Sequence, residues 1–194
     1  MKKVGLFFGS FNPIHIGHLI IANHLVEFTD LDEVWLVVTP HNPFKKKATL
    51  LADHHRFAMV QRAVEDYPKL QASDIEFKLP QPNYTINTLT HLSEKFPKVA
   101  FSLIMGEDNL NSFHKWKNYE TILEYYAIYV YPRITTLSEE QNIFKNHPRI
   151  TYTQAPIIEI SSTFIRKAVA KGKNIQPLLP EKVWQYLDEM NFYK

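Results

Sequence analysis

Gly9-Ser10-Phe11-Asn12-Pro13-Ile14-His15-Ile16-Gly17-His18 stands between a short apolar run, Val4-Gly5-Leu6-Phe7-Phe8, and an amphipathic stretch over residues 19–28. An uninterrupted apolar run of that length suits a strand buried on both faces of a parallel sheet. The segment therefore reads as strand, tight polar turn and helix start, with His15 and His18 placed at that start. Gly17 removes a side chain where a ligand could approach the backbone closely. A helix N-terminus offers unpaired N–H groups at the positive end of its dipole, which suits phosphate. Imidazoles there would hold a phosphate whose charge is being redistributed, and this points to nucleotide chemistry. Two blander readings compete: histidines that merely satisfy a polar turn, and a zinc site. The zinc reading ranks lower, because the chain has no cysteine, no His-Glu-x-x-His and no evident third ligand.

Composition narrows the classes. With 194 residues the chain is long enough to bury a good core, and it is expected to form one domain over residues 1–194, with a C-terminal helical part from about residue 155. Lys and Arg total 22 against 20 Asp and Glu. This near balance gives no reason to expect a nucleic-acid or membrane partner. The lack of cysteine excludes disulfides, thiolate-held clusters and thiol catalysis. The basic start Met1-Lys2-Lys3 leads into an apolar run that breaks at Gly9-Ser10, too short for a signal peptide. No run approaches the roughly 20 apolar residues that span a bilayer. The expectation is a cytoplasmic protein.

Strand and helix patterns alternate along the rest of the chain. Strands are expected over residues 33–39, 70–77, 99–105, 127–131 and, as a short edge, 149–153. Helices are expected over 53–66 with Asp53 as cap, from Thr85 as cap to Phe96 before Pro97, over 162–170 before Gly172, and over 181–190. A short helix over 109–113, capped by Asp108, is a further reading. Such alternation implies an α/β fold, a Rossmann-like doubly wound parallel sheet with helices on both faces. Ligands in these sheets bind outside the carboxyl ends of the strands, where the strand order reverses. The stretches 9–18, 40–47 and 106–108 all follow expected strands.

The stretch 9–18 resembles the HxGH signature of the nucleotidyltransferase superfamily, whose members transfer a nucleoside monophosphate from a triphosphate. Ile160-Ser161-Ser162-Thr163-Phe164-Ile165-Arg166 is similar to the superfamily's ISSTxIR motif. On residues alone this second stretch is a well-capped helix start, with Arg166 near the positive dipole end, where a cation is misplaced unless an anion joins it. The resemblance implies that the hydroxyls of Ser161, Ser162 and Thr163 and the Arg166 guanidinium grip ATP phosphates. It also implies catalytic roles for His15 and His18 and ATP contacts from Gly9, Ser10, Phe11 and Gly17.

Pro40-His41-Asn42-Pro43-Phe44-Lys45-Lys46-Lys47 resembles the PPHK loop of the bacterial nicotinate-mononucleotide adenylyltransferases, with Phe44 where that motif usually has histidine. Lys45 matches its lysine, with Lys46 as the substitute. Asn83-Tyr84-Thr85-Ile86-Asn87-Thr88-Leu89 is similar to the same family's YTxxTL element, and the run from Gly106 and Asp108 to Trp116 to its GxDxxxxxxxW pattern. The resemblance implies Trp116 stacked on a pyridine ring, Tyr84, Thr85 and Asn42 around the acceptor, and Gly106 and Asp108 toward ribose or adenine. Aromatic stacking suits a flat, electron-poor ring. Asn12 replaces the commoner aspartate, which keeps a turn-forming side chain but removes a negative charge beside the phosphates.

The activity implied is adenylyl transfer from ATP to nicotinate mononucleotide, giving deamido-NAD and pyrophosphate by direct in-line attack. Mg2+ is expected to accompany ATP, since carboxylates around the motifs are few. The alternatives are a relative acting on nicotinamide mononucleotide or phosphopantetheine, a non-catalytic nucleotide sensor and, least favoured, a nucleic-acid-binding protein.

Overall fold

The apolar run that opens the chain forms β1 (Lys2–Gly9), and its buried residues 4–7 place it in the middle of a sheet. The computed structural model describes residues 1–40, 50–134 and 143–194. Its other strands are β2 (Glu33–Val38), β3 (Leu70–Ser73), β4 (Val99–Gly106), β5 (Ala127–Tyr131) and β6 (Ile150–Tyr152). All neighbouring pairs are parallel, in the order β3-β2-β1-β4-β5-β6. The chain steps outward from β1 to β3, then returns across β1 to β4. Strand order therefore reverses between β1 and β4, and sheets of this kind bind ligands above the carboxyl ends at such a point.

The helices are α1 (Ile16–Phe28), α2 (Asp53–Val64), α3 (Thr85–Lys95), α4 (Glu107–Leu110), α5 (Tyr119–Tyr125), α6 (Ser162–Val169) and α7 (Glu181–Glu189). Apolar residues of α1, α2, α6 and α7, including Leu25, Met59, Ile165 and Leu187, share one core on one face of the sheet. Those of α3, α4 and α5, including Leu89, Leu110 and Ile122, share a second core on the other face. The expected doubly wound α/β fold is the observed one. No helix among the described residues is long and apolar enough to cross a membrane.

The differences from expectation have local causes. Helix α1 begins three residues before Leu19, with His15 as its N-cap, so His18 lies inside the first turn. Asp53, Thr85 and Asp108 are helical residues and not caps; Ala52, Tyr84 and Gly106 hold those positions. An oxygen-bearing side chain suits the first turn of a helix as well as its cap, so residue type alone places the start only to within a residue or two. The expected strand over 70–77 stops at Ser73 and gives way to a 3-10 turn, Ile75–Lys78, which carries Glu76 into the interior. Helix α5 was not foreseen, because seven residues give too few turns for an apolar period to stand out. Gly172 ends the α6 region at φ 64°, as its position after the helix predicts.

Candidate active site

The turn after β1 is a built object. Phe11 sits at φ 44° with its ring fully buried against Phe7 and His18, so this residue can meet a ligand through its backbone only. His15 is buried at the N-cap of α1, and its N–H donates to His18 Nδ1 at 3.2 Å. That bond makes Nδ1 an acceptor, which leaves the proton of a neutral His18 on Nε2. The two imidazoles stack with centroids 3.7 Å apart, and His15 Nδ1 is buried with no hydrogen-bond partner among the described residues. A Cβ on Gly17 would lie 2.6 Å from Ile158 and 3.0 Å from His15 Nδ1. The missing side chain therefore admits the strand-like segment before α6 and the histidine ring, where sequence reasoning reserved the space for a ligand.

The motif from the far end of the chain meets this turn directly. Ser162 Oγ donates to the Pro13 carbonyl at 2.8 Å, and Arg166 Nη1 to the Asn12 carbonyl at 2.8 Å. Arg166 Nη2 also donates to Thr163 Oγ1 at 3.3 Å, while Ser161 Oγ caps α6 by accepting from the Phe164 N–H. Two helix N-termini, α1 and α6, thus converge on one spot above the sheet. Each supplies free first-turn amides, and together they favour an anion.

A buried arginine underlies the arrangement. Arg56 is fully buried, and its guanidinium donates to the carbonyls of Ser10, Thr39, Pro40 and Leu51 and to Asp53 Oδ1 at 2.5–3.0 Å. It ties the end of the β2 strand and the entry to α2 to the turn after β1. Burial opposes its charge, and Asp53 offsets that penalty.

Farther along the chain, Tyr84 caps α3 and Lys117 Nζ lies 4.3 Å from its ring centroid. Trp116, next to Lys117, is half-buried edge-on against Phe113 at 5.4 Å. The Lys117–Tyr84 contact sets the start of α3 against the segment that carries Trp116. Below them Glu76 is buried, accepts from Thr88 Oγ1 at 2.8 Å, and has its carboxyl pushed up by burial. Asp108 is exposed in the first turn of α4, its carboxylate folded over Gly106 at the end of β4.

The cytidylyltransferase-like family model matches residues 6–168 of this chain. A protein of Flavobacterium psychrophilum named probable nicotinate-nucleotide adenylyltransferase is 68% identical over 192 residues, covering 99% of both chains. One of the same name from Christiangramia forsetii is 67% identical over 193 residues, covering 100% of this chain and 99% of that one. The chain belongs to the nicotinate-nucleotide adenylyltransferase family. Its fold is also that of a solved Plasmodium falciparum nicotinic acid mononucleotide adenylyltransferase complexed with NaAD, at TM-score 0.81 and 20% identity, over 100% of this chain and 98% of that one.

Of the residues expected from sequence, Lys45 with its substitute Lys46, and Asn42, lie outside the described residues. Sequence reasoning missed Arg133. It stands two residues beyond β5, with its guanidinium 5.3 Å from the Tyr131 ring and Nη1 donating to the Ile158 carbonyl at 3.0 Å. Its Nε is buried without a partner among the described residues, and its charge reaches both histidines. A cation just past a strand at the ligand-binding end was the available signal.

Burial and the nearby Arg133 charge lower His15 to about 4; burial, His15 and Arg133 hold His18 well below the usual histidine range. Both rings are therefore neutral at pH 7. Below the unfolded value near 6.5, the unfolded chain takes up protons that the folded site refuses, so stability falls as pH drops toward about 4. The His15 contribution is about 3 kcal/mol by this linkage. Urea unfolding between pH 7 and 4 should show it, and His15→Gln should flatten the slope.

Proposed function

We propose that the protein transfers the adenylyl group of ATP to nicotinate mononucleotide, forming deamido-NAD and pyrophosphate as a step of NAD biosynthesis. The observation that carries this reading is the junction of the two phosphate-type helix starts through Ser162–Pro13 and Arg166–Asn12, beside neutral His15 and His18. The names of the full-length relatives support the choice of acceptor.

A phosphate oxygen of the acceptor attacks the α-phosphorus, and the bond to the bridging oxygen breaks as pyrophosphate leaves in line. No side-chain nucleophile is needed, because positioning and electrostatics carry such transfers. His18 Nε2–H and the His15 ring donate to the α/β-phosphate region. An arriving triphosphate favours the protonated imidazole, so charge can form on the rings as it develops on the leaving group. Arg166 and Lys45 offset the β- and γ-phosphates, and Arg133 adds a third cation. The amides of Gly9, Ser10 and Gly17 and the starts of α1 and α6 hold the chain of phosphates. Gly106 and Asp108 face ribose and adenine. Trp116 stacks on the pyridine ring, while Tyr84, Thr85 and Asn42 receive the acceptor.

The described groups around the phosphate turn are imidazole, hydroxyl, amide and guanidinium, with Asp108 and the Arg56-paired Asp53 as nearby carboxylates. That donor set fits Mg2+ carried in on the triphosphate, where it neutralises phosphate charge. A cytoplasmic setting, where ATP is made, suits these substrates.

Pyrophosphate release from Mg-ATP tests the reading. Release that depends on nicotinate mononucleotide supports it. Binding of Mg-ATP without release, with every acceptor tried, would make the chain a nucleotide sensor.

A further inference from the structure

The segment that follows α7 carries no motif, yet it reaches the phosphate turn. Tyr193 donates its hydroxyl to Asn12 Oδ1 at 2.6 Å. The same oxygen accepts the Leu51 N–H at 3.3 Å, and the Asn12 carbonyl accepts Arg166 Nη1 at 2.8 Å. Asn12 is buried, so this residue is where four stretches meet: the turn after β1, the entry to α2, helix α6 and the segment after α7. Tyr193 sits at φ 65°, a left-handed conformation that a bulky side chain adopts only when its surroundings hold it there. Phe192 supplies that hold, with its ring edge-on to His55 at 4.8 Å and to Tyr186 at 5.8 Å. Tyr186 in turn bonds His55 Nδ1 at 2.8 Å. Burial raises the Tyr193 phenol above its ordinary value despite Arg166 and Arg56 nearby, so it stays a donor at neutral pH.

We propose that Tyr193 is a positioning residue for adenylyl transfer: its hydroxyl fixes Asn12, and Asn12 sets Arg166 and the entry to α2 relative to His15 and His18. The proposal rests on the adenylyltransferase reading above. An aromatic anchor that only stabilised the fold would need no hydroxyl, and the phenol would not converge with Arg166 on one residue of the phosphate turn.

The test is Tyr193→Phe in the full chain, assayed well below its melting temperature. The expected result is a fall in kcat of about tenfold, with KM for nicotinate mononucleotide changed less than about twofold. Asn12→Ala, which also frees the Leu51 N–H, should lower kcat by at least as much, and the double variant by no more than Asn12→Ala alone, because Tyr193 acts through Asn12. Lys69→Ala, whose amine pairs with Glu27 on the exposed surface just before β3, should keep wild-type kcat. A Tyr193→Phe kcat within about twofold of wild type, or losses that multiply in the double variant, would overturn the proposal. If the wild type binds Mg-ATP but does not turn over nicotinate mononucleotide, the acceptor reading fails by itself. Calorimetric Mg-ATP affinity then decides: weakening of about fivefold in Tyr193→Phe supports the positioning role, and unchanged affinity overturns it.

Discussion

Replacing His18 with alanine is expected to lower kcat by about 100- to 1000-fold, the scale seen when a preorganised donor to a developing oxyanion is removed. The ring is well placed for such a loss. His15 N–H holds its Nδ1, Phe11 packs on it edge-on at 5.0 Å, and His15 stacks on it at 3.7 Å. These contacts fix the direction of Nε2–H before substrate arrives, so little reorganisation is left for the reaction itself. The same contacts mean that alanine also removes packing, at a cost of about 1–2 kcal/mol for a half-buried ring. His18→Asn separates the two effects. Its shorter side chain can still accept from the His15 N–H but cannot reach where Nε2 stood. Urea unfolding and steady-state kinetics on both variants make the check. Asparagine should restore much of the stability and little of kcat. If kcat recovers in step with stability, His18 is a scaffold residue and not a phosphate donor.

Arg56→Ala is the second large effect, and here the expected loss is in stability. The guanidinium satisfies four carbonyls and Asp53 while fully buried, so its removal strands several acceptors in a dry interior. Breaking such a buried charge network costs about 3–5 kcal/mol. Arg56→Lys should recover only part of this, because one ammonium cannot reproduce a planar fork of five donors. The bonds to Ser10, Thr39 and Leu51 also hold the phosphate turn against the neighbouring strand end, so surviving protein should be less active as well. Denaturant midpoints for the two variants test the account. An alanine variant within about 1 kcal/mol of wild type would mean that the network contributes little net stability.

The sheet was legible because parallel strands buried on both faces leave continuous apolar runs, and the 127–131 run became β5 at those bounds. The turn over residues 9–18 was legible as a strand, turn and helix start because its residues are consecutive. Its reading as a phosphate site rested on the two histidines, the helix start and the family resemblance together. The pieces that sequence did not disclose share a different property: each acquires its role where distant segments meet. Arg56 lies in a polar first turn beside His54 and His55, and nothing in that pattern announces burial. Arg133 matters through histidines more than 100 residues earlier, and Tyr193 through Asn12 at a separation of 181 residues. Gly17 was read as the place where a ligand comes close to the backbone, and the groups that a Cβ there would meet are Ile158 and the His15 ring. The helix starts at Ile16, Thr85 and Glu107 were each misjudged by one to three residues, because polar first-turn residues resemble caps.

Acceptor identity is the centre of the functional account, and a competition assay addresses it most directly. The purified protein is given Mg-ATP with equal concentrations of nicotinate mononucleotide, nicotinamide mononucleotide and phosphopantetheine, and the adenylylated products are resolved by mass. The proposed acceptor site of Tyr84, Thr85 and Trp116 predicts deamido-NAD as the dominant product, with pyrophosphate released in equal amount. Dominance of NAD or of dephospho-coenzyme A would contradict the ring-pocket assignment while leaving the phosphate chemistry in place.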